Sequence, residues 1–144
     1  MDFIKRTVSR LTSIHKTNDP FDIASQRDIL VFYEDLGEVF GYYNTFKRIH
    51  MIHINQFLDK NVQRFVIAHE LGHSILHSKI STPFMKQYTL FSVDRIEREA
   101  NRFAVEMLLP DDLLLDGCTL YEAAAICGVP KEVARLKKLP RRFY

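Results

Sequence analysis

The string His69-Glu70-Leu71-Gly72-His73 places two imidazoles four residues apart with a carboxylate beside the first. On a helix, residues four apart share one face, one turn above each other. Both rings can then reach a single cation. Neutral imidazole nitrogen is a good zinc ligand, and a catalytic zinc site leaves one of its four positions to water. Glu70 projects beside the ligand pair and not along it. It can take a proton from the attacking water and pass it to a leaving amine. A structural zinc site has no use for such a base and fills all four positions with protein ligands.

Two histidines leave the site incomplete. His77 extends the series, but it lies about 12 Å along the helix axis from His69, too far for one ion to bridge. It reads as a hydrogen-bonding neighbour of a ligand or as a solvent-facing residue. His50 and His53 read as ordinary strand residues. A third ligand is better sought in the next helical segment, where Glu97 and Asn101 are four apart. Glu97 as ligand leaves Asn101 to hydrogen-bond a ligand histidine. Glu99 is rotated about 200° away and is the alternative. Small Ala100 and Ala104 allow this helix to approach the first one closely.

The remaining elements must bring these residues together. Apolar residues recur at helical intervals from Val62 to Leu76, predicting a helix over 61–78. Asp94 suits a cap for a helix over 95–108, which Pro110 stops. Upstream, helices are predicted over 1–17 and 21–27, interrupted by Asn18-Asp19-Pro20. Three strands follow, 28–33, 39–43 and 46–54, with a turn at Asn44-Thr45. Short helices over 119–126 and 131–138 flank Gly128-Val129-Pro130. The predicted fold class is α+β. A small, mainly antiparallel sheet packs on the HExxH helix and on a second, glutamate-bearing helix, and a short helical tail follows.

Composition bounds the rest. The chain has 144 residues, 47% hydrophobic and 26% charged, with formal net charge +2. That suits one globular domain. It divides into an N-terminal helical segment (1–28), a core (29–110) and a tail (111–144). The small charge argues against direct nucleic-acid binding, and no apolar run is long enough for a membrane span. Cys118 and Cys127 are too few for a disulfide framework and wrongly spaced for a zinc knuckle. A cytoplasmic protein with idle thiols is the expectation.

Two strings carry a family resemblance: Arg64 through His73, and Glu97-Arg98-Glu99-Ala100-Asn101-Arg102-Phe103-Ala104 running on to Leu109-Pro110. With the strand-like Ile52–Asn55, they resemble the ImmA/IrrE zinc metallopeptidases. The likeness is strong over about 29–110 and looser in the tail. It implies one zinc ion, with Glu97 again favoured as third ligand. It also implies limited proteolysis of a helix-turn-helix repressor encoded by a prophage or integrative element. The short chain shows nothing like the added sensory domain of the radiation-response branch. The other reading is a zinc-bearing module that binds repressor or DNA without turnover.

Further expectations concern the substrate. Peptidases of this design bind an extended segment along a sheet edge, and the strand Arg48–Ile54 is the expected edge. Tyr42, Tyr43, Tyr88 and His77 are candidates to stabilise the oxyanion. Residues 131–144 hold six basic residues against the single acid Glu132. They either dock a partner or only close the core. The sequence leaves the oligomeric state open.

Overall fold

Asp2 begins the fold by accepting a hydrogen bond from the Lys5 N–H, capping helix α1 (Phe3–His15). The computed structural model describes residues 2–141; Arg142 of the basic tail lies outside the described residues. Asp19 and Pro20 open α2 (Pro20–Gln26), the acid as cap and the proline at the first helical position. Three strands follow: β1 (Ile29–Glu34), β2 (Val39–Phe46) and β3 (Ile49–Asn55).

The hairpin between β2 and β3 turns at Lys47 and Arg48, whose φ values are 50° and 68°. Two consecutive left-handed residues match the right-handed twist of the flanking strands. The turn therefore lies beyond Asn44 and Thr45, which pair with Met51 and His50 inside the ladder. The four-stranded sheet has the order β1-β3-β2-β4, where β4 is the two-residue strand Met85–Lys86. β1 runs parallel to β3, and the other two pairings are antiparallel. This corrects the expected edge: β3 is internal, paired on both sides. A strand's own alternation does not say which neighbours it will have.

α3 (Lys60–Leu76) lies across one sheet face, started by Asp59, whose carboxylate accepts from the Val62 N–H. Gly41 makes the approach possible, since a Cβ there would stand 2.5 Å from Val66 Cγ1. The helix ends at Leu76, two residues before the predicted boundary. A 3-10 turn (Gln87–Phe91) then leads to α4 (Arg95–Leu108), with the predicted bounds. Asp94 holds the cap position of α4, although its side chain makes no capping bond.

The tail comprises α5 (Asp111–Leu115), α6 (Leu120–Cys127) and α7 (Lys131–Ala134). Thr119 and Glu122 form a capping box on α6, and Gly128 ends it at φ 71°. α7 is a single turn, shorter than predicted, with Val133 and Ala134 fully buried. The tail thus closes the core. Lys137 is buried as well: its ammonium lies 2.7 Å from both Glu106 Oε1 and Asp111 Oδ1. Glu106 also accepts from the Lys138 N–H at 2.7 Å, and Arg102 bonds Asp2 at 2.9 Å. Among the described residues, no helix is long and apolar enough to cross a membrane.

Candidate metal centre

α3 and α4 pack against each other at the middle of the molecule, and their contact face carries the chemistry. Gly72 sets the spacing. A Cβ there would stand 2.9 Å from Phe103 Cδ1 and 3.1 Å from Phe103 Cβ. Ala100 and Ala104 are fully buried on α4. Small residues on both helices let the backbones approach until Glu97 meets the two histidines.

The ligand atoms of His69, His73 and Glu97 lie within 4.8 Å of one another, and all three residues are buried. Glu97 Oε1 is 2.6 Å from His73 Nε2 and 3.5 Å from His69 Nε2. Asn101 stands one turn along α4. Its amide nitrogen donates to the Thr89 carbonyl at 2.9 Å, which turns Oδ1 toward His69 Nδ1 at 2.8 Å. His69 must therefore donate from Nδ1, leaving Nε2 directed at the cluster.

Glu70 is fully buried on the same helix, its Oε2 4.0 Å from His69 Nε2. Among the described residues, neither of its oxygens has a hydrogen-bond partner, nor does His69 Nε2. Unsatisfied buried carboxylates are costly. A cation held by His69, His73 and Glu97 would offset that cost, and two imidazoles with one carboxylate are a donor set that suits zinc. The residues fit a metal.

The electrostatics agree. Burial pushes the Glu70 carboxyl up to about 7, with Glu97 adding to the rise and His69 opposing it. Burial lowers His73 to about 4, against the pull of Glu97. For Glu97 burial works in the other direction, but His69 and His73 overcome it and hold its carboxyl near 2. Burial also opposes charging of His69, yet the carboxylates of Glu97 and Glu70 outweigh it and raise its pKa. His73 as a neutral ring and Glu97 as an anion are the forms that ligate metal.

The other candidates fall elsewhere. Glu99 is outside the cluster, bonded to Arg95 and to His77. His77 is buried between Glu99 and His73. Its link to Glu99 is the contact that spacing along one helix cannot show. His53 bonds Glu34 and Asn44 across the sheet, and His50 bonds Tyr43. Tyr42 stacks on His53 and Phe84. Tyr88 stays exposed on the 3-10 turn, next to the Thr89 that orients Asn101.

A groove of about 530 Å³ follows the C-terminal end of α3. It runs between Ser78–Thr82 and the second half of β2, Tyr42 to Thr45. β4 pairs with β2 only at Val39 and Gly41. Beyond Gly41, no described strand pairs with that edge of β2.

A family model described as the IrrE N-terminal-like domain of peptidases matches residues 24–137. The chain is 46% identical over 141 residues to a protein of Bacillus phage phi105 named Uncharacterized immunity region protein 2. That match covers 94% of this chain and 89% of the phage protein. It is also 33% identical over 142 residues to the Metallopeptidase ImmA of Bacillus subtilis, covering 93% of this chain and 83% of that enzyme. These matches run through the helices that carry His69, His73 and Glu97, and they establish that the chain belongs to the IrrE N-terminal-like family of metallopeptidases, to which its resemblance to ImmA also points.

Proposed function

We propose that the chain is a cytoplasmic, single-domain zinc endopeptidase that makes limited cuts in a helix-turn-helix repressor of a prophage or integrative element. The observation that carries this reading is the buried Glu70 carboxylate, without a hydrogen-bond partner among the described residues, beside the donor atoms of His69, His73 and Glu97. In the proposal His69, His73 and Glu97 hold the ion. When bound, zinc supplies a Lewis acid that acidifies water and polarises a carbonyl. Glu70 takes the proton of the attacking water and returns it to the leaving amine nitrogen. Asn101 keeps the His69 ring oriented through Nδ1. Burial of the cluster excludes bulk water and strengthens each of these interactions.

The free edge of β2 offers main-chain groups to an extended substrate segment. This edge replaces β3 in the role expected from the sequence. Its groove takes a strand and not a folded domain, which favours a linker or a locally opened segment of the target. The phage relative is named for an immunity region, which supports a target that controls phage genes.

The second reading is a metal-bearing module that binds repressor or DNA without turnover. The position of Glu70 favours the enzyme, because a binding site gains nothing from a buried general base. The test is incubation of the zinc-loaded protein with any helix-turn-helix repressor encoded beside it, followed by mass spectrometry. One or a few defined fragments support the proposal. An intact repressor alongside digested casein would overturn the repressor assignment.

A further inference from the structure

The sheet has two faces, and α3 covers one of them. Gly41 faces α3, since a Cβ added there would meet Val66, and Ile52 and Ile54 are buried on that side. By alternation, Tyr42, Asn44 and Phe46 of β2 stand on the other face. Their register partners His53, Met51 and Ile49 join them there, as do Leu30 and Phe32 of β1. An open face of a sheet normally carries polar residues. Here Leu30 is 48% exposed, Phe32 40%, Phe46 61% and Ile49 49%. A row of stacked rings crosses the face through Phe32, His53, Tyr42 and Phe84, with centroid separations of 5.4, 4.3 and 4.5 Å.

Charge is divided between the two ends of this face. The hairpin tip carries Lys47 and Arg48, while Arg27 and Asp28 at the start of β1 cancel one another. The opposite end carries Glu34, Asp35 and Glu38, which outnumber Lys86 of β4, the partner of Val39 there.

We propose that this face is a self-association surface on which a second copy of the chain packs its own outer face. The two-fold axis lies in the interface and across the strands, so the basic end of each copy meets the acidic end of the other. The surface is self-complementary only in that orientation. A two-fold axis along the strands would set Lys47 and Arg48 against their own copies. A partner surface of one charge sign would satisfy one end and repel the other. Antiparallel stacking also lays the aliphatic row of Leu30 and Met51 over the partner's aromatic row, giving an uncharged centre with a charged rim. The metal donors lie on the covered side of the sheet, so each copy keeps its own.

Sedimentation of the full metal-loaded chain over a concentration series tests this. A reversible monomer–dimer equilibrium is expected. Leu30→Asp and Phe46→Asp change exposed side chains, and each should raise the dissociation constant by roughly tenfold or more. Circular dichroism and metal content, unchanged, will show that these variants are folded. K47E/R48E and D35K/E38K should each weaken the dimer, and the variant carrying all four changes should recover it. A monomer at every concentration would overturn the proposal, as would a dimer indifferent to the face variants. Four changes no better than two would overturn the antiparallel arrangement. Face variants that slow repressor cleavage by a monomeric enzyme would give the surface to the repressor instead.

Discussion

His73 Nδ1 lies 2.9 Å from His77 Nδ1, and the far nitrogen of His77 lies 2.8 Å from Glu99 Oε1. With a neutral His77 ring, this order of groups places the protons. The Glu99 carboxylate accepts, so His77 donates from Nε2 and accepts at Nδ1. His73 must then donate from Nδ1, which leaves its Nε2 lone pair directed at Glu97 and the cluster. Asn101 imposes the same tautomer on His69 from the other side. His77 can do this because α3 ends at Leu76 and His77 leaves the helical path at φ −130°.

Breaking this chain should loosen the metal without removing a ligand. His77→Ala and Glu99→Ala are expected to weaken zinc binding by roughly 10–100-fold, measured by competition with a chromogenic chelator. Glu97→Ala should lose most of the metal. Equal metal affinity in wild type and His77→Ala would show that the contact orients nothing.

Gly72→Ala tests the helix spacing. The added methyl would stand 2.9 Å from Cδ1 of the fully buried Phe103 ring. The expected cost is about 1–3 kcal/mol of stability, read by urea denaturation. Metal affinity should fall too, because α4 must move away with Glu97. An Ala variant with wild-type stability and affinity would mean that the interface is slack.

The ion pairs around Glu106 predict how the tail responds to mutation and to acid. Lys137→Met leaves the buried Glu106 carboxylate without its closest cation, and a loss of about 3 kcal/mol is expected. The double variant with Glu106→Gln should regain part of it. Burial opposes ionisation of Asp111, but the ammonium groups of Lys137 and Lys5 outweigh it and hold the carboxyl below its usual value. Asp2 is depressed likewise: the Lys5 N–H and Arg102 overcome burial. A depressed carboxylate stabilises above its unfolded pKa of 3.8 and loses that contribution as pH falls through the lower folded value. Below pH about 4, wild type should therefore lose stability more steeply than Asp111→Asn. Parallel curves would remove the network from acid unfolding.

The parts of this architecture legible in the sequence are those with local causes. α4 has its predicted bounds because a regular apolar stripe runs from Ile96 to Leu108 and Pro110 stops it. Glu97 and Asn101 could be paired because i, i+4 spacing is a property of the helix itself. The position of β3 inside the sheet was not legible, since pairing is decided by partners distant in the chain. Lys137 reads as one more basic residue of a solvated tail. Its burial depends on Glu106, 31 residues earlier, and on Asp111. The Gly72–Phe103 contact is likewise a property of two helices and invisible in either alone.

The proposed function rests on Glu70 acting as a base beside a metal it does not bind. The most direct measurement is repressor cleavage by Glu70→Gln, loaded with zinc and compared with wild type at equal metal content. The amide fills the same buried space but cannot take the proton. Full zinc occupancy, an unchanged fold, and a cleavage rate lower by at least ~100-fold are expected. Cleavage by the zinc-loaded Glu70→Gln protein at the wild-type rate would contradict it.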